Sequence, residues 1–216
     1  MALEGRYRFA MSFPIASTKT ERPTATNPWV FSDRTLTVFY GCPEMPRLSH
    51  YFLPRLLFAT KQILYLDGAN QISPLLLARF ARERGVEPSS VNSLIRVARA
   101  FTCFQLTELV RRVPKTLERF SADVLIVTAL PDLYFDEDVR DREARASFGH
   151  ALEGLRNVAP LSLSIAVFSD ATSFKTKRRD FFQRLRAQAD HVVKVESTPE
   201  NKLSFTREKN TPLLPA

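Results

Sequence analysis

Little in this sequence points to the usual chemistries of metalloenzymes, thiol enzymes or membrane proteins. The chain has 216 residues, with two cysteines (Cys42, Cys103) and three histidines (His50, His150, His191). They are scattered singly, which gives neither a metal-ligand spacing nor a disulfide framework. A reduced, cytoplasmic setting is the expectation. No apolar run approaches the roughly 18 residues of a membrane span, and the start of the chain lacks a signal-peptide core, so no membrane association is expected. The sequence also lacks a Gly-x-Ser-x-Gly elbow, a His-Glu-x-x-His pair and a Cys–His pair in a recognisable setting. Glu83, Glu108, Glu118 and Glu153 fall in arginine-rich helical patterns and read as surface ion pairs. Cys103 opens a helix, where a thiolate would be favoured; a small buried residue is the simpler reading.

What is present is an ordinary globular composition with excess positive charge. Hydrophobic residues make up 44% and charged residues 25%, while 31 Lys plus Arg against 23 Asp plus Glu give a net charge of +8. Such a balance favours a polyanionic partner, although a solvated positive face has the same composition. Short, continuous apolar runs occur at 35–40, 63–66, 94–98, 124–127, 163–168 and 191–195, with a weaker one at 202–206. Helical spacing lies between them, at roughly 47–60, 73–84, 103–120, 139–157 and 174–188. Continuous apolar strands alternating with helices predict an α/β domain with a mainly parallel sheet covered on both faces. No helical pattern separates the last two strands, which predicts an antiparallel edge near the C-terminus. Ser73, Pro74 and Gly85 supply an N-cap, a first helical proline and a stop for the second helix. The expected organisation is an irregular N-terminal arm over 1–33, one domain over 34–208 and a tail over 209–216.

The first strand runs into Gly41, where a phosphate-binding loop would start. Such a loop, Gly-x-x-x-x-Gly-Lys-Ser/Thr, needs glycines for backbone N–H groups facing a phosphate, a lysine for charge and a hydroxyl for magnesium. Counting from Gly41 places Pro46 at the second glycine, Arg47 at the lysine and Leu48 at the hydroxyl, with Glu44 in the middle. Proline offers no N–H, leucine holds no metal, and a glutamate repels phosphate.

Three segments nevertheless resemble, in order and approximate spacing, the core of RecA-like recombinases, especially their archaeal and eukaryotic branch. They are Ile-Leu-Tyr-Leu-Asp-Gly (63–68), Ile-Arg-Val-Ala-Arg-Ala-Phe-Thr-Cys-Phe-Gln-Leu (95–106) and Asp-Val-Leu-Ile-Val-Thr (123–128). The resemblance covers roughly residues 34 to 208 and implies a single RecA-like domain. It also implies a degenerate nucleotide site at Gly41, Arg47, Asp67 and Thr128. Thr128 stands where the family's magnesium-ordering aspartate belongs, Ala69 where its water-activating glutamate belongs, and Ala171 near its sensor glutamine. Asp67 persists, with the alternative role of capping the turn that follows it. Arginine binds oxyanions well, so a residual NTPase using Arg47 and Asp67 is one alternative. If ATP hydrolysis has been lost, the former nucleotide crevice at the C-terminal strand ends is expected to be filled by side chains of the 42–48 loop.

In the same family, the loop after the fifth core strand inserts into DNA. The matching segment, 170–186, carries Lys175, Lys177, Arg178, Arg179, Arg184 and Arg186, together with Phe174, Phe181, Phe182 and Leu185 in one apolar stripe. It reads either as a cationic element tracking a phosphate backbone or as an amphipathic helix with its rings in the core. The family's other DNA loop corresponds to 131–143, with six acids against two arginines. This acidic stretch argues against a phosphate contact and reads as a helix N-terminal charge cluster. In the arm, Phe13 and Ala16 match the Phe-x-x-Ala element that such recombinases pass to a neighbouring subunit. Burying a phenylalanine there is worth about 1.5–3 kcal/mol. Trp29 is expected to anchor the arm to the core edge.

The expectation is a non-catalytic RecA-like protein, binding single-stranded DNA or a recombinase partner, or forming a homo-oligomer, in recombination or repair. It needs no cofactor, with ATP retained only under the NTPase alternative. A second alternative is a protein-interaction module that does not bind nucleic acid.

Overall fold

The computed structural model describes residues 34–42, 45–158, 161, 163–197 and 203–210. Phe13, Ala16, Trp29, Pro43 and Glu44 lie outside them. Thirteen elements follow one another: β1 (Leu36–Tyr40), α1 (Met45–Phe58), β2 (Ile63–Asp67), α2 (Pro74–Glu83), α3 (Pro88–Ser93), β3 (Ile95–Arg99), α4 (Cys103–Leu117), β4 (Val124–Thr128), α5 (Asp141–Val158), β5 (Ser164–Ser169), α6 (Asp180–Gln188), β6 (His191–Ser197) and β7 (Leu203–Asn210). The strands form one seven-stranded sheet in the order β3-β2-β4-β5-β1-β6-β7. All neighbours are parallel except β6 and β7. The α/β class, the single domain, the parallel sheet and the antiparallel C-terminal edge are therefore as the sequence predicts. β7 runs to Asn210, two residues beyond the expected core boundary.

Chain direction sets which face each helix covers. From β1 to β2 to β3 the chain steps toward the β3 edge; from β3 onward it steps back toward β6. Crossovers of one hand put helices from opposite steps on opposite faces. Leu36, Val38 and Tyr40 accordingly join a core with α4, α5 and α6. Phe39 joins the other core, beneath α1, α2 and α3. The strands β1, β2, β4 and β5 are buried along their length, which explains their continuous apolar runs. Aromatic stacking fixes both layers. Phe39 stacks on Phe168 at 4.9 Å between centroids in one core, and Phe148 on Phe181 at 4.5 Å in the other.

Helix signals in the sequence hold where chemistry punctuates them. Ser73 accepts the Leu76 N–H as N-cap of α2, Pro74 is its first residue, and Gly85 follows with φ +66°. Two readings need correction. The six-residue α3 arises from a Ser/Asn-rich stretch of weak helical preference behind Pro88. The last helix begins at Asp180 rather than 174, so Phe174 sits on a loop and not on the helical stripe of Phe181, Phe182 and Leu185.

Candidate functional site

Five loops converge at the C-terminal ends of β1 to β5, the place where open parallel sheets bind ligands. They enclose a cleft of about 530 Å³, lined from successive loops by Arg47, Gln71, Phe101, Asp132, Phe135, Asp136, Asp170 and Phe174, among others. This corrects the expectation of a crevice filled by the 42–48 loop. Met45, Leu48 and Cys42 turn down into the core beneath α1, whereas Pro46 and Arg47 border open space. An apolar side chain at the start of a core-facing helix gains more from packing on the sheet than from plugging a wet cleft. Ala129 borders the cleft with φ of +58°, and Asn70, between the lining residues Ala69 and Gln71, has φ of +53°. Such left-handed backbone in non-glycine residues costs about 1–3 kcal/mol and tends to gather at functional sites.

The four positions assigned to a degenerate nucleotide site have been absorbed by the fold to different extents. Gly41 has φ +118°, and a Cβ there would lie 2.7 Å from the Val195 carbonyl. Its glycine is required by the close approach of β6, with no need for a phosphate. Asp67 is fully buried and takes the backbone N–H groups of Gln71 and Ile72 at 3.0 Å each. Thr128 donates its hydroxyl to Asp67 Oδ1 at 3.3 Å and accepts the Ala69 N–H at 3.2 Å. Arg99 Nε lies 3.6 Å from Asp67 Oδ2 and donates through Nη2 to the Ile72 carbonyl. The capping role weighed for Asp67 is therefore the one it plays. β2 and β4 run in register at Asp67 and Thr128, so the hydroxyl occupies the space beside the carboxylate. Arg47 alone reaches the cleft as a cation, with Nε donating to Gln71 Oε1 at 3.0 Å.

Asp132, six residues beyond Ile126 and past the end of β4, is the group that sequence reasoning passed over. It sits in the acidic 131–143 stretch, read as one helix-terminal cluster. The structure splits that stretch. Asp141 and Glu143 do open α5, and Asp141 is held below the usual carboxylate range, first by its hydrogen bond from Arg145. Asp132 instead lies buried at the cleft floor, where it accepts the Ser169 hydroxyl and the Asp170 N–H, each at 2.7 Å. Burial pushes its pKa up to about 7, against those two hydrogen bonds, which favour the ionised form. A buried carboxyl at a cleft that titrates near neutrality is a functional-site signal. The composition of the segment hid it: six acids look alike until one is folded inward.

The basic segment divides in the same way. Arg178 is buried and not available to a ligand in the manner expected. Its guanidinium donates to the Tyr134, Asp136 and Val139 carbonyls and to Asp141 Oδ1. The 131–143 stretch thus folds around it, which satisfies a buried cation as burial demands. Arg186 pairs with Glu208 at 2.8 Å and lies over Tyr40, and Arg184 lies over the Phe148 ring. Lys175, Lys177, Arg179 and Arg184 are exposed, the first of them beside a Phe174 that is 46% exposed. Phe101, which also lines the cleft, is 64% exposed. It was visible in the sequence as part of the Ala-Arg-Ala-Phe segment, but nothing there distinguished a rim ring from a core ring.

Among the described residues, no group of three His, Cys, Asp or Glu is arranged to hold a metal ion. Cys103 is buried and desolvation raises its thiol pKa, as suits a core residue. No helix among the described residues is long and apolar enough to cross a membrane. No protein-family model matches the sequence, and no curated protein matches it.

Proposed function

We propose that the chain is a RecA-like protein without ATPase chemistry that binds single-stranded DNA and serves as a scaffold for a recombinase partner in recombination or repair. The observation that carries the reading is the division of the 170–186 segment. One arginine, Arg178, is spent on the fold, while Phe174 borders the cleft and its chain neighbours Lys175, Lys177 and Arg179 are exposed. Cations that track phosphates beside a ring on which a base can stack are the two components of sequence-tolerant single-strand binding. The loss of hydrolysis is supported by Asp67 and Thr128. The carboxylate that would hold magnesium water is already engaged by two N–H groups, a hydroxyl and a nearby guanidinium. A residual NTPase would have to break that arrangement, so it is the weaker alternative.

The test is a titration of a labelled oligonucleotide against the parent chain, a Lys175→Glu/Lys177→Glu/Arg179→Glu variant and Phe174→Ala. The reading expects the charge reversal to abolish binding and Phe174→Ala to weaken it by about 1–3 kcal/mol per lost stacking contact. Unchanged affinity in the charge-reversed protein would end the DNA reading. Arg178 is left intact in this design, because removing it would unfold the loop that is under test. Phosphate release from ATP that Arg47→Ala removes would overturn the non-catalytic part.

A further inference from the structure

The walls of the cleft have the opposite polarity to Lys175, Lys177 and Arg179. Among the described residues, Asp132, Asp136 and Asp170 line it against one cation, Arg47, which is hydrogen-bonded to Gln71. Three carboxylates disfavour a phosphate or any other anion inside. They do not serve an inorganic cation either, since no three acidic or imidazole groups among the described residues are clustered tightly enough for one. Acids spread around a cleft of about 530 Å³ suit a larger cation that spreads its own charge and donors.

Phenylalanine supplies the second, independent observation. Phe101, Phe135 and Phe174 share the lining, and the Phe135 and Phe174 centroids are 5.7 Å apart with planes tilted by 58°. Phe101 and Phe174 are exposed, an arrangement that leaves large apolar surface in water. Rings presenting their faces attract cations within about 6 Å of the centroid. The chain itself uses this pairing elsewhere: Arg145 lies 5.3 Å over Phe181, Arg184 5.3 Å over Phe148 and Arg96 5.1 Å over Phe120. Among the described residues no cation of the chain covers Phe101, Phe135 or Phe174.

We propose that the cleft is a binding site for an organic cation, a guanidinium or alkylammonium head on an apolar stem, held by Asp136 and Asp170 and covered by the three phenylalanines. The head takes the oxygens of Asp136 and Asp170 that the Asp138 N–H and Ser173 leave open, whereas both Asp132 oxygens are already held by Ser169 and the Asp170 N–H. The stem covers Phe101 and Phe174. The volume exceeds one head group and falls in the range of small-ligand sites, about 300–1,000 Å³. This site shares Phe174 with the DNA reading but uses none of Lys175, Lys177 and Arg179, so Asp136→Asn/Asp170→Asn separates the two.

Calorimetric titration of the full chain tests it with three probes: agmatine, a short peptide with one central arginine, and the same peptide with citrulline, which is neutral and nearly isosteric. Agmatine and the arginine peptide are expected to bind, and the citrulline peptide about tenfold or more weakly. Asp136→Asn/Asp170→Asn and, separately, Phe174→Ala should each weaken the cationic probes about tenfold with cooperative unfolding retained, since Asp136 and Phe174 are exposed and Asp170 is half-buried. An arginine peptide tighter than agmatine assigns the site to a side chain of a protein partner. Agmatine at least as tight as the peptide assigns it to a free amine. Equal binding of arginine and citrulline peptides, no binding of either cation, or cationic binding untouched by both variants overturns the proposal.

Discussion

Asp67 and Asp132 are two buried carboxylates at the ends of neighbouring strands, and they have opposite fates. Asp67 is enclosed by donors: two backbone N–H groups, the Thr128 hydroxyl and the Arg99 guanidinium. Asp132 is also buried but has two donors, an acidic neighbour in Asp170 and, among the described residues, no cation paired with it. A buried charge that is fully matched becomes part of the scaffold, and one that is undermatched stays poised to respond to protons or a ligand. The resemblance to a nucleotide site directs attention to Asp67. Its surroundings direct it away, toward the aspartate five residues past Val127.

Removing groups one at a time should separate the two. Asp67→Ala is expected to have the largest effect, about 3–5 kcal/mol of stability, since it leaves buried donors and a guanidinium uncompensated. Chemical denaturation measures it, and a loss below 1 kcal/mol would show that Asp67 is not structural. Arg178→Ala, which opens three carbonyls to burial without a partner, should cost a similar amount. Thr128→Val removes one hydroxyl bridge and should cost about 1–2 kcal/mol.

Asp132→Asn should behave in the opposite sense, and with pH. The carboxyl has a folded pKa near 7, above the 3.8 of an unperturbed aspartate. Its contribution to stability is thus full below about pH 4 and is lost as pH rises through 7. The Asn variant lacks that loss, so its stability relative to the parent should increase between pH 5 and pH 8. Denaturation midpoints at the two pH values check this; a constant difference would mean that Asp132 titrates normally. The smallest effect is Arg99→Gln, below about 1 kcal/mol, because its side chain is 42% exposed and the ion pair is partly screened.

Much of the fold was legible because burial writes a simple pattern. β1, β2, β4 and β5 are covered on both faces, and each appears in the sequence as an unbroken apolar run. Capping chemistry at Ser73 and Gly85 marked α2 in the same direct way. The site was less legible, because its residues differ from their neighbours only in direction. Asp132 stands among five other acids, Phe174 near two core phenylalanines, and Arg178 between Lys177 and Arg179. Which of them turns inward depends on tertiary partners such as Tyr134 and Ser169, far away along the chain or across a loop. Composition registers the cluster, and only the fold distributes its members.

The most direct test of the account is the salt dependence of single-stranded DNA binding, comparing the parent chain with Lys175→Glu/Lys177→Glu/Arg179→Glu. Each phosphate contact on a single strand contributes about −0.7 to the slope of log affinity against log salt. The account predicts a steep slope for the parent that becomes shallower by about two, with a large loss of affinity, when the three cations are reversed. Equal slopes and affinities in the two proteins, or no DNA binding by the parent at any salt, would contradict it.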